Sequence, residues 1–245
     1  MRKFLSGGIA VLALAAASAA QAADLPSSAT PTARALRAVA VSNWDGLYIG
    51  GNIGYSWGTW DARGTGVSPT GSLSPNVDGW IGGLQAGYNW QPNAKWVLGI
   101  EGDFQWSGEK DDFRWVFPIV LGDTRSGFTI NETWKLLWLA TLRARVGMLA
   151  SPDTLIYGTG GLAVGRVSYR VGLSLGAVSF ALDESVTEWG WTIGAGVEKM
   201  INRNWSAKLE YLYVDLGSHT FFTNSTPVDM RDHILRIGIN YKFAR

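Results

Sequence analysis

The chain of 245 residues has no cysteine and only two histidines, His219 and His233. Thiol chemistry, disulfide frameworks and multi-histidine metal sites are therefore closed to it. Charge is scarce as well: Asp, Glu, Lys and Arg make up 17% of residues, below the ~25% of an ordinary domain. Neither sign dominates, with 21 basic and 20 acidic residues, so the basic excess of a nucleic-acid binder is missing. Past the N-terminus, no stretch approaches the ~18 consecutive apolar residues of a membrane-spanning helix.

What the chain has in quantity is glycine and tryptophan, 31 and 13 residues, with aromatics at 12%. Mean hydropathy is +0.05, as expected when apolar residues alternate with polar ones instead of clustering. The N-terminus carries Arg2 and Lys3, then an uncharged apolar stretch over 4–20 and the tripeptide Ala20-Gln21-Ala22. That order reads as a secretory signal peptide over 1–22. Without Arg2 and Lys3, 19 basic residues face 20 acidic ones, a net charge of −1. Residues 23–43 are rich in Ala, Pro, Ser and Thr and read as a flexible periplasmic leader. Residues 44–245 form the remaining domain.

From Asn43 onward the apolar period becomes two. Segments 46–58, 79–91, 95–107, 133–148, 154–169, 188–199, 205–216 and 233–243 each alternate. In 95–107, for example, Trp96, Leu98, Ile100, Phe104 and Trp106 oppose Gly99, Glu101, Asp103 and Gln105. In 133–148, Trp134, Leu136, Trp138, Ala140, Leu142, Val146 and Met148 are expected on one face. Thr141, Arg143, Arg145 and Gly147 are expected on the other. In 154–169 the apolar set is Leu155, Tyr157, Ala163 and Val167, against Gly158, Gly160, Arg166 and Ser168. Every segment is long enough for a tilted membrane strand, which needs ~9–11 residues.

The connections strengthen the point. They run 59–78, 92–94, 108–132, 149–153, 170–187, 200–204 and 217–232, long and short in strict alternation. Outer-membrane barrels place long loops outside and short turns in the periplasm, and this spacing predicts the same. Trp57, Trp80, Trp90, Trp96, Trp106, Trp134, Trp189, Trp205, Tyr211 and Tyr213 fall largely toward segment ends. There they would form the two aromatic girdles at headgroup depth. The expected fold is all-β, an eight-stranded antiparallel up-and-down transmembrane β-barrel, exported to the cell outer membrane.

Asn43-Trp44-Asp45-Gly46-Leu47-Tyr48-Ile49-Gly50-Gly51-Asn52-Ile53-Gly54-Tyr55 resembles the opening strand of small alphaproteobacterial outer-membrane β-barrels. These are porin-like surface proteins sharing the OmpA-type transmembrane barrel. Gly99-Ile100-Glu101-Gly102-Asp103, Leu142-Arg143-Ala144-Arg145-Val146-Gly147 and Lys208-Leu209-Glu210-Tyr211-Leu212-Tyr213 resemble later strands of that family. So does the closing Arg236-Ile237-Gly238-Ile239-Asn240-Tyr241-Lys242-Phe243, although Ala244 and Arg245 follow where family barrels end on an aromatic. Outer-membrane lipid, lipopolysaccharide and the barrel-assembly machinery are the partners expected. No cofactor is expected.

An eight-stranded barrel has an interior that side chains fill. Glu101, Asp103, Glu198 and Glu210 are expected inside it with Arg143, Arg145, Lys208 and Arg236, and Arg166 and Lys242 share the inward parity. Buried charges must pair, so an interior ion-pair network is expected to block the lumen, with a charged constriction in a narrow pore as the alternative. Asp215, Ser218 and His219 could be imagined as a hydrolase triad, but adjacent Ser and His in a loop are commonplace. The reading is a non-catalytic structural protein of the envelope, with a narrow porin or ligand-binding surface barrel as the second possibility.

Overall fold

The computed structural model describes residues 43–62, 76–121, 124–175, 178–220 and 227–243. The expected signal peptide, all of the leader before Asn43, and the Ala244-Arg245 tail lie outside them. The described chain is a sequence of antiparallel strands: β1 (Gly46–Ala62), β2 (Asn76–Trp90), β3 (Trp96–Ser107), β4 (Lys110–Leu121), β5 (Thr124–Ser151), β6 (Thr154–Leu175), β7 (Val178–Met200), β8 (Trp205–Thr220) and β9 (Pro227–Lys242). Eight of them follow one another as β1-β9-β8-β7-β6-β5-β3-β2, and pairing of β2 back to β1 closes the ring. The ring is the expected eight-stranded barrel. Among the described residues no helix is long and apolar enough to cross a membrane, and the crossing is made by strands.

The ninth strand is a departure from expectation. Residues 108–132, read as a loop, contain β4 and the start of β5, which pair with each other from Lys110↔Lys135 outward. The 170–187 connection is also strand, with Arg170↔Asp183 and Leu175↔Val178 in register. β4, β5, β6 and β7 thus run past the ring as a four-stranded arm at its outer end. The short turns lie at the opposite end, near Trp44 and Phe243, as the alternation of connection lengths predicts.

Outside the ring, period-two patterning leaves a continuous apolar belt. Ile53, Leu84, Leu98, Ile100, Leu142, Val146, Leu162, Ile193, Leu209 and Ile237 are all exposed on it. Trp57, Trp80, Trp106 and Trp189 edge the belt toward the arm, and Trp90, Trp96, Trp205 and Phe243 edge it toward the turns. Trp189 is 69% exposed and Trp80 is 68% exposed. A water-facing surface does not carry an apolar patch that encircles the molecule. Lipid is the medium it suits.

Two strands turn differently from their simple alternation. In β5 a bulge between Leu136 and Trp138 changes the parity, because Leu137 is left without a partner on β6. Trp134 and Leu136, expected on the outside, are buried inside, and Trp134 does not belong to a girdle. In β6, Leu155, Tyr157, Ala163 and Val167 are buried in the lumen, while Ile156 and Leu162 face out. Arg166, assigned to the interior, is exposed on the outer surface. Small residues on both faces of this strand blur its alternation, so residue type alone chose the wrong side.

Candidate functional site

Inside, the lumen has three layers. The middle one is polar and charged, and every charged residue assigned to the expected network is buried there: Glu101, Asp103, Arg143, Arg145, Glu198, Lys208, Glu210 and Arg236. The strands that place them are β3, β5, β7, β8 and β9, each contributing alternate positions at one height. Cross-strand register puts Glu101 opposite Arg143, Glu198 opposite Lys208, and Glu210 opposite Arg236.

Contacts across the lumen matter more than that register. Arg143 reaches Glu101 and Asp103, the latter at 2.8 Å, and extends to Glu210 at 3.1 Å. Arg236 bridges Asp103 at 3.1 Å and donates from Nε to Glu210 at 2.7 Å. Lys208 donates to both oxygens of Glu101, at 2.8 and 2.9 Å. Arg145 lies 2.9 Å from Glu198 and 3.8 Å from Glu101. Asp103 is held by Arg143 and Arg236, and Glu198 pairs with Arg145 although Lys208 is its register partner. An Arg side chain is long enough to pass its register partner and reach an acid on another strand.

Neutral groups complete the shell. Tyr48 donates to Glu101 at 2.7 Å and Tyr157 to Glu210 at 3.0 Å. Arg145 also lies over both rings, 5.4 Å and 4.8 Å from their centroids, where a cation is attracted to the ring face. Thr141 and Gln105 donate to Asp103, and Asn240 and Ser206 to Glu198. Inward glycine makes room for the cations: a Cβ on Gly54 would come within 2.6 Å of Arg236 Cβ. The sequence reading missed both tyrosines. Tyr48 shares the parity of Gly50 and Asn52 and could have been found; Tyr157 sat among the apolar residues of the strand whose face was misassigned.

Above this layer the lumen is mostly apolar. Trp60, Val77, Ile81, Trp134, Leu136, Leu139, Leu212, Val214, Leu216, Met230 and Ile234 form one buried cluster at the outer end. Below, toward the turns, Trp44, Val97, Leu155 and Tyr157 form a smaller one. The charged layer is therefore enclosed between two apolar ones.

Two acids at the outer end, Glu109 and Asp232, were read as loop residues. Both are 1% exposed. Asp232 continues the inward parity of Ile234 and Arg236, and Glu109 follows β3 past Ser107 and Gly108. Burial pushes Asp232 up to about 7 against a single opposing hydrogen bond from Trp60. Burial likewise raises Glu109 well above the usual carboxylate range, and the neighbouring Asp232 charge adds to it.

The residues imagined as a triad have other contacts. His219 Nδ1 lies 2.6 Å from Glu188, and Asp215 accepts the Gly217 N–H and faces Arg231 at 3.7 Å. Among the described residues, no group of three or more His, Cys, Asp and Glu is placed to hold a metal ion.

Comparison with known proteins gives a consistent family. The description "Outer membrane protein beta-barrel domain" matches residues 9–243. The chain is similar to the 31 kDa outer-membrane immunogenic protein of Brucella melitensis, 37% identical, covering 96% of this chain and 98% of that one. It is 32% identical to the 22 kDa outer membrane protein of Rhizobium leguminosarum bv. viciae, covering 82% of this chain and 79% of the other. Among solved structures it is similar to Ail, the attachment invasion locus protein of Yersinia pestis, at 16% identity and a TM-score of 0.38, covering 80% of this chain and 99% of that one.

Proposed function

Because the chain belongs to the outer membrane protein beta-barrel domain family and resides in the outer membrane, we propose that it is a closed structural barrel contributing to envelope integrity and surface properties, without catalysis. One observation carries this reading. In the lumen's middle layer four buried carboxylates, Glu101, Asp103, Glu198 and Glu210, meet four buried cations, Arg143, Arg145, Lys208 and Arg236. A pore lining that conducts ions needs a surplus of one sign along an open path. Charges that neutralise one another through direct contacts, under an apolar outer layer, support a plug.

The outer surface of the arm supports the partner side of the proposal. Lys110, Arg114, Lys135 and Arg170 are exposed there, and Arg166 is exposed level with Trp106. Arg170 pairs with Asp183 and Lys110 approaches Asp112, both at the surface, where such pairs are weak and exchange readily. Cations at this height suit the phosphates of lipopolysaccharide. Tyr241 at the end of β9, with Phe243 just after the strand, is the segment offered to the barrel-assembly machinery.

Single-channel recording in planar bilayers on the refolded protein is the test. A plugged barrel gives no discrete conductance steps. Reproducible steps would transfer the function to the alternative, a narrow porin. A strain lacking the protein is expected to become more sensitive to detergents and bile-type amphiphiles, and unchanged sensitivity would remove the envelope role.

A further inference from the structure

We propose that the outer end of the lumen holds a site for a divalent hard cation, Ca2+ or Mg2+, built from Glu109, Asp232 and Ser56. The two acids sit over the paired strands β1 and β2. The Asp232 carboxylate lies over Gly58, where a Cβ would come within 1.8 Å of its Oδ1. Glu109 lies over Gly79, where a Cβ would come within 2.8 Å of its Cα and its amide nitrogen. Gly79 is the register partner of Ser56, two residues from Gly58 on the same inward face. Glycine at both positions lets the acids pack this close: Asp232 Oδ1 fills the space over Gly58 and the Glu109 backbone the space over Gly79.

What the acids lack is a positive partner. Glu109 Oε1 and Oε2, Asp232 Oδ2 and Ser56 Oγ are buried without a hydrogen-bond partner. Trp60 donates its indole N–H to Asp232 Oδ1 at 3.2 Å, and the Ser56 and Ser107 hydroxyls face the Glu109 carboxylate. Among the described residues neither acid makes an ion pair, whereas each acid of the middle layer touches at least one Arg or Lys. Around them stand Trp60, Ile81, Met230 and Ile234, all buried and uncharged, and the nearby Asp78 adds negative charge. A buried ion without a counter-charge is costly, and two adjacent carboxylates double the demand.

A divalent cation answers it. Two carboxylates carry the balancing charge, and the donors are all oxygen, which suits Ca2+ or Mg2+ with water completing the shell. Nitrogen and sulfur ligands, which softer metals prefer, are not part of the set. The position, just above the outer tryptophans, faces the side from which extracellular divalent cations arrive.

The experiment uses the full barrel refolded into phosphatidylcholine vesicles, so that no lipopolysaccharide phosphate competes for the ion. Urea unfolding is followed at pH 8 in EDTA and in graded CaCl2 or MgCl2. The wild-type midpoint is expected to rise with the logarithm of free cation once the site fills. The Glu109→Gln, Asp232→Asn double variant should lose that response and match or exceed the wild type in EDTA. Wild type with no cation response would overturn the site and leave the acids sharing a proton. An equal response in the double variant would place the ion elsewhere. Should the variant not refold, Tb3+ luminescence on the wild type decides: Trp60 is beside the site, so emission excited through indole should appear and be displaced by Ca2+. Its absence overturns the proposal as well.

Discussion

Arg236 and Ile237 are adjacent in the chain and occupy opposite media. Ile237 is 58% exposed on the apolar belt, paired laterally with Ile53 and Leu209, while Arg236 is 1% exposed within the lumen. A cation placed at such a lipid-facing site near mid-membrane costs about 2–4 kcal/mol. Ile237→Arg is expected to lose that much in urea unfolding from vesicles; unchanged stability would refute the register of β9. Lys208 offers a different test. Its ammonium has Glu101 at 2.8 Å and Glu210 only at 3.9 Å, so Glu101→Gln strands it in a dry layer. Removing one partner of a buried pair costs about 3–5 kcal/mol in a fully dry interior. The double change Glu101→Gln with Lys208→Met removes the stranded charge too, and should be less damaging than Glu101→Gln alone. A coupling energy of about 0.5–3 kcal/mol is expected from the cycle. Zero coupling would mean that water solvates these groups independently, and the plug would fail with it.

Among the elements, β5 is the one whose form has most consequence. Its bulge at Leu137 turns Trp134 and Leu136 inward and keeps the even positions beyond it facing the same way. On the arm this builds one apolar face, with Phe113, Trp115 and Phe117 of β4 opposite Glu132, Ile130 and Phe128 of β5. Val171, Leu173 and Leu175 of β6 continue it to Leu182, Phe180 and Val178 of β7. Glu132 is the one acid in this run, between Phe113 and Val171. Burial among them raises its pKa. The sign follows: with the folded value above the unfolded one, the contribution is complete below the unfolded carboxylate range and is lost as pH rises through the raised value. Glu132→Gln should therefore leave stability at pH 4 unchanged and raise it at pH 8, with a flatter profile between. Equal pH profiles for the two proteins would show that Glu132 is solvated.

For the whole molecule, the asymmetry of its two ends sets how it sits in the envelope. The ring's short turns, at 91–95, 152–153 and 201–204, gather at the end that carries Trp44 and Phe243, and the arm stands at the other. Protease added to intact cells is expected to cut only in connections at the arm's end and to spare those three turns. Cleavage in a turn from outside would invert the orientation. The closed ring leaves no unpaired edge within the belt, so every backbone group there is satisfied without water. Packing inside does the rest. Two apolar clusters and the charged layer fill the lumen with side chains from all eight ring strands, and stability does not depend on a disulfide.

Period-two alternation, the alternating connection lengths and the two sets of tryptophans were enough to determine a barrel of eight antiparallel strands, with its short turns at one end, and the eight charges of the middle layer. These properties are local: a side chain's parity decides whether it meets lipid or lumen, and each strand repeats the statement. Sequence could not reveal where parity breaks. The bulge at Leu137 depends on how β5 pairs with β6, and it alone carries Trp134 and Leu136 inside. Nor could it reveal that Arg143 spans from Glu101 to Glu210, because that reach crosses the lumen between strands distant in the chain. Glu109 and Asp232 came together for the same reason. Each looked like a loop residue in its own segment, and only closure of β1 onto both β2 and β9 brought the two acids near one another among buried apolar side chains.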